Sequence, residues 1–164
     1  MWKIICNLLL YVFFSMIQFI FGKYLGIFGI FPNFILIVIA YLGVSKKTID
    51  AQLMGFLFGL TWDAFSIDIF GIKALMFTII GYLIGKFCGD FYANKILSQF
   101  VVVFSANVIY WLGFDLIHFI ILGSESYMAS FTDVSFYMEA VVTVLIAPTV
   151  FHILGMLYNR RAVK

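Results

Sequence analysis

Apolar residues run along most of this chain, broken at intervals by short clusters of polar ones. A helix that crosses the hydrocarbon of a bilayer needs about 20 predominantly apolar residues. Runs of that kind occupy residues 4–22, 26–44, 51–68, 70–88, 97–122 and 137–158. The third is interrupted by Asp63, and the fifth is long enough to cross at a tilt. The pattern therefore predicts an all-α membrane protein of six transmembrane helices, forming a single integral membrane domain over 1–164. The first run is longer than the apolar stretch of a signal peptide, typically about 7–15 residues. No small-residue cleavage site follows it at Lys23, Tyr24 and Leu25, so it reads as a retained helix.

Composition supports the membrane class. Hydrophobic residues make up 65% of the 164 positions, aromatic residues 20% and charged residues only 11%, with a mean hydropathy of +1.13. A soluble domain carries about 25% charged residues, and one core of this size cannot hide so much apolar surface. The net charge of +2 is small and by itself says nothing about nucleic acid; the expected surroundings, from composition, are the lipid bilayer, with no nucleic-acid partner. The two cysteines, Cys6 and Cys88, are far apart and show no metal-ligand spacing.

Charge also orients the spans. With six crossings, one side collects Lys3, Lys46, Lys47, Lys86, Lys95, Arg160, Arg161 and Lys164, and the other only Lys23 and Lys73. Basic residues near helix ends mark the cytoplasmic side. Both termini are therefore expected in the cytoplasm, with the sizeable loop from about 123 to 136 outside.

Ionisable residues inside a span are costly and face a partner or the protein interior. Here they are Asp63, Asp115, His118, Glu139 and His152, accompanied by Gln18, Asn33 and Asn107. At about 1.5 Å of rise per residue, Asp63 lies roughly 20 Å from the start of its helix. The same counting puts Asp115, His118, Glu139 and the Pro32–Asn33 pair toward the outer leaflet, and His152 nearer the cytoplasm. Asn107, Trp111, Asp115 and His118, spaced 4, 4 and 3, share one face of the fifth helix, where Asp115 and His118 can pair. Each has a plain structural reading beside a functional one. Asp63 either hydrogen-bonds a helix end or serves a ligand, and Glu139 either reaches interfacial water or lines a cavity.

No catalytic set accompanies them: the chain has no nucleophile elbow, HExxH, phosphate loop or zinc-ligand spacing. Small residues four apart do recur, at Gly55 and Gly59 and at Gly81, Gly85 and Gly89. Such glycines let membrane helices approach closely, either within one bundle or against a partner. Pro32 fits a helix start or a kink, and as a start it shortens the second helix.

Taken in order, Phe31-Pro32-Asn33-Phe34-Ile35-Leu36, then Gly55 to Asp63 (GFLFGLTWD), then Gly71-Ile72-Lys73-Ala74-Leu75 and Gly81-Tyr82-Leu83-Ile84-Gly85, form a series that resembles the rod shape-determining protein MreD family. Its specific part runs from Pro32 to Gly85; the second half matches in hydropathy. The family's usual acidic residue after the proline is Asn33 here, and Lys73 stands where a small polar residue is common. The resemblance implies a non-enzymatic role without cofactors in the bacterial elongasome, the machinery of cell shape and peptidoglycan synthesis. MreC would be the direct partner, with MreB, RodA and a penicillin-binding transpeptidase in the wider complex. It also implies a fold similar to the substrate-binding (S) subunits of energy-coupling-factor transporters. Phe31, Pro32, Asn33, Asp63, Trp111, Asp115, His118 and Glu139 are the candidate partner or cavity residues. The competing reading is a small-molecule-binding subunit of a vitamin-type transporter.

Overall fold

A computed structural model of the chain describes residues 13–18, 32–45, 48–66, 69–88, 96–123 and 134–159. They form six helices: α1 (13–18), α2 (Phe34–Val44), α3 (Thr48–Phe65), α4 (Ile72–Phe87), α5 (Ile96–Leu122) and α6 (Val134–Asn159). Among the described residues there is no strand. Phe31, Gly89, Cys6, most of the first predicted span and most of the 123–136 loop lie outside them, as do all the basic residues except Lys73 and Lys86.

α2 is the central helix. Every residue from Ile35 to Val44 is buried, and α3, α4, α5 and α6 all pack against it. A helix that is apolar all round needs such a surrounding. It has 11 residues and is therefore about 16 Å long, roughly half the thickness of a bilayer's hydrocarbon. Within the expected second span, 26–44, α2 begins at Phe34 with Asn33 as its cap, directly after Pro32, and residues 26–31 lie outside the described residues.

α3 and α4 pack antiparallel at close range. A Cβ on Gly55 would stand 2.5 Å from the Phe77 carbonyl oxygen, and one on Gly59 would fall on the Ala74 backbone. From the other helix, a Cβ on Gly81 would meet the Ala51 backbone at 2.8 Å and one on Gly85 the Thr48 hydroxyl at 2.6 Å. These four glycines thus serve packing within the bundle. Gly43 similarly brings α2 against Ile84 of α4.

α5 and α6 are the long helices. Ile96–Ile121 and Tyr137–Leu157 are each long and apolar enough to cross a membrane. Their outward faces expose Leu112, Leu116, Phe119, Ile120, Val141 and Leu145. So wide an apolar surface is stable against lipid and costly in water. Tyr41 of α2 meets Phe151 of α6 edge to face at 5.4 Å, joining the centre to this outer pair.

Candidate functional site: a polar cavity at one end of the bundle

Neighbouring helices alternate in direction, so the starts of α2, α4 and α6 and the later parts of α3 and α5 meet at one end. Two of those helix starts are buried. The first N–H groups of a helix have no partner within it and must find one elsewhere.

At α2 the partners come from three places. The backbone N–H of Asn33 donates to Thr143 Oγ1 of α6 at 2.9 Å, and that of Phe34 donates to Gln18 Oε1 of α1 at 2.9 Å. Asn33 caps its own helix, its Oδ1 accepting from the Leu36 N–H at 3.1 Å. Thr143 is fully buried, and its hydroxyl donates onward to the Glu139 carbonyl at 2.7 Å.

At α4 one residue serves the same purpose. Gly71, at φ 98°, occupies the cap position with no side chain to offer. Asp63 reaches across from α3, and its carboxylate accepts from the N–H groups of Gly71 at 3.0 Å, Lys73 at 3.3 Å and Ala74 at 3.1 Å. A carboxylate at a helix N-terminus also complements the helix dipole. Of the two readings of Asp63, this is the structural one.

Between these starts lies a cavity of about 190 Å³. Its walls are Gln18 of α1, Asn33 before α2, Trp62 of α3, Phe77 of α4, Asn107, Tyr110 and Phe114 of α5, and Glu139 of α6. Every described helix or its cap contributes. Glu139 is half-buried against this space. Phe77 and Tyr110 stack at 5.1 Å, Tyr110 and Phe114 at 6.0 Å, and the His118 ring lies 4.2 Å from Phe114.

Of the residues singled out in the sequence, Asn33, Glu139, Gln18 and Asn107 line the cavity. Pro32 is buried just before α2. Trp111, Asp115 and His118 do not line it. Trp111 instead meets Tyr137 of α6 edge to face at 5.4 Å. The face of α5 turned to the cavity is Asn107–Tyr110–Phe114, so Asp115 points about 100° away from Phe114. Asp115 is buried, and its Oδ2 has no hydrogen-bond partner among the described residues. His118 Nδ1 stands 3.0 Å from the Phe114 carbonyl oxygen. Lys73, expected on the outer rim, is buried, with its ammonium 5.9 Å from the Phe114 ring centre.

Among the described residues no three His, Cys, Asp or Glu side chains gather as a metal site. A model of the rod shape-determining protein MreD family matches residues 1–157 of the chain. The chain belongs to the MreD family. No curated protein and no solved structure matches it. Membership makes it a rod shape-determining membrane protein, consistent with the two helices that can span a bilayer.

Trp62, Phe77, Tyr110 and Phe114 are the MreD cavity residues that sequence reasoning missed. The spacing of Tyr110 and Phe114, four apart, was available as a signal. Their meeting with Phe77 and Trp62 depends on the close α3–α4 packing.

Proposed function

We propose that this protein is a non-enzymatic membrane component of the bacterial cell-elongation machinery, acting by binding MreC. The observation that carries the reading is the family match over 1–157. The same reading places the chain in the cytoplasmic membrane with six crossings and both termini inside, supported by the asymmetry of its basic residues. MreB, RodA and a transpeptidase of the penicillin-binding class are then further members of the assembly. A likeness to transporter S subunits belongs to the same proposal, supported by a cavity to which all the described helices contribute.

The vitamin-transporter reading is less well supported. Sites that enclose drug-sized ligands span about 300–1,000 Å³, and this cavity measures about 190 Å³.

Co-purification tests the proposal. The tagged chain, solubilised from native membranes in mild detergent, is expected to bring down MreC, and cells depleted of it are expected to lose rod shape. Recovery of the chain without MreC, in several detergents and in native nanodiscs, overturns it. Substitutions at Asp63 or Gly59 are unsuitable for mapping the interface, since both positions hold α3 against α4.

A further inference from the structure

Four polar side chains around the cavity, Gln18, Asn33, Asn107 and Glu139, are divided in kind. Gln18 and Asn33 are both more than nine-tenths buried, at 3% and 8% exposure. Each commits its amide oxygen to the start of α2, Gln18 Oε1 to the Phe34 N–H and Asn33 Oδ1 to the Leu36 N–H. Those bonds fix the orientation of the amides and leave the two NH₂ groups as donors. Neither NH₂ group has a partner among the described residues. Asn107 is set the other way, with Nδ2 donating to the Val103 carbonyl at 2.9 Å and Oδ1 left as an acceptor. Glu139 adds a carboxylate that makes no hydrogen bond or ion pair among the described residues.

The cavity thus offers donors at the start of α2, from α1 and Asn33, and acceptors on α5 and α6. Stacked aromatic rings share the cavity wall with them. The start of α2 also contributes the positive end of a helix dipole on the donor side.

This division disfavours an ion or an apolar molecule. A bare anion meets the Glu139 carboxylate. A metal cation meets two NH₂ groups, with one carboxylate and one amide oxygen where a hard cation takes six to eight oxygens. An apolar molecule leaves both sets of polar groups unpaired, at a cost for each. A small ligand carrying both an ammonium and anionic oxygens matches these four side chains, and aromatic walls favour the ammonium as well.

We propose that the cavity is a binding site for an aminophosphate zwitterion of the phosphoethanolamine type. Its ammonium lies toward Glu139 and Asn107, and its phosphate oxygens toward the NH₂ groups of Gln18 and Asn33. Two sources share this chemistry, the headgroup of phosphatidylethanolamine and free phosphoethanolamine. The site is independent of whether MreC is the partner.

The test uses the full chain in detergent, stripped of lipid, and reads the thermal midpoint and native mass spectra. The additions are short-chain phosphatidylethanolamine, phosphatidylcholine or phosphatidylglycerol, and separately phosphoethanolamine. Phosphatidylethanolamine is expected to bind and raise the midpoint more than phosphatidylcholine, which lacks ammonium N–H donors, and more than phosphatidylglycerol, which lacks the cation. Glu139→Gln is expected to weaken binding about tenfold to a hundredfold, the range for one charge-assisted hydrogen bond. Asn107→Ala, whose own amide bonds only within its helix, is expected to weaken it severalfold and serves where Glu139→Gln fails to fold.

A response to phosphatidylethanolamine alone supports the lipid source, and a response to phosphoethanolamine alone supports the free zwitterion. Responses to both support the shared headgroup. Equal response to all three lipids without a response to phosphoethanolamine, no response to any addition, or variants that respond as the parent does would overturn the site. MreC capture by the same preparation is scored separately, so either proposal can fail without the other.

Discussion

Single side chains hold this end of the bundle together by satisfying backbone groups of other helices. Asp63 accepts three N–H bonds from the start of α4 while itself only 3% exposed. Hydrogen bonds to a charged group are worth about 1.5–3 kcal/mol each, and donors left buried and unpaired cost a similar amount. Asp63→Ala is therefore expected to destabilise the protein by on the order of 3 kcal/mol. Asp63→Asn, which keeps one acceptor, should lose less. Denaturation midpoints in detergent read the difference, and equal midpoints for Ala and Asn would contradict it. Thr143 makes the same case from the other side. Thr143→Val keeps the shape and removes the acceptor for the Asn33 N–H, at an expected cost of about 1–3 kcal/mol. Thr143→Ser should recover most of it.

Among the helices, α3 and α4 are the closest pair and α2 the most enclosed. Membrane helices gain little from apolar burial against one another, since lipid is equally apolar, so close backbone packing carries their association. Gly59→Ala drives a Cβ onto the Ala74 backbone, and overpacking of this kind costs about 1–3 kcal/mol. Gly155 of α6 has nothing within 4 Å of its would-be Cβ, so Gly155→Ala is expected to be neutral or slightly stabilising. Yield and thermal midpoint of the purified variants measure the contrast. α2 shows a different constraint. Its 11 residues are shorter than the hydrocarbon is thick, and the N–H groups at its start are paired within the protein. Irregular backbone at that depth is tolerable because Gln18 and Thr143 reach it from two other helices.

At the scale of the molecule, the wide apolar exposure on α5 and α6 requires lipid around it, while polar groups are concentrated inside one end. The distribution of basic residues adds a direction to that asymmetry. A fluorescent protein fused after Lys164 is expected to fluoresce, because it stays in the cytoplasm. Alkaline phosphatase inserted in the 123–136 loop is expected to be active, because it is exported. The reverse pattern would invert the proposed orientation and place the polar end toward the cytoplasm.

Hydropathy alone was enough to read a helical membrane chain and to bound α5 and α6 to within a few residues, because long spans must be continuously apolar. The glycine pairs on α3 and α4 were legible for a similar reason, since close approach demands small residues at fixed spacing. The cap at Asn33 was not, because apolarity from 26 to 44 does not show whether Pro32 starts a helix or kinks one. Whether Asp63 meets a helix end or a ligand also depended on tertiary contact, as the end it caps is 8 to 11 residues along the chain on another helix. On α5, spacing grouped Asn107 with Trp111, Asp115 and His118, whereas the cavity wall is Asn107, Tyr110 and Phe114. Periodicity says which residues share a face. Only the packing of the other helices says which face looks inward, and so which polar groups meet at the cavity.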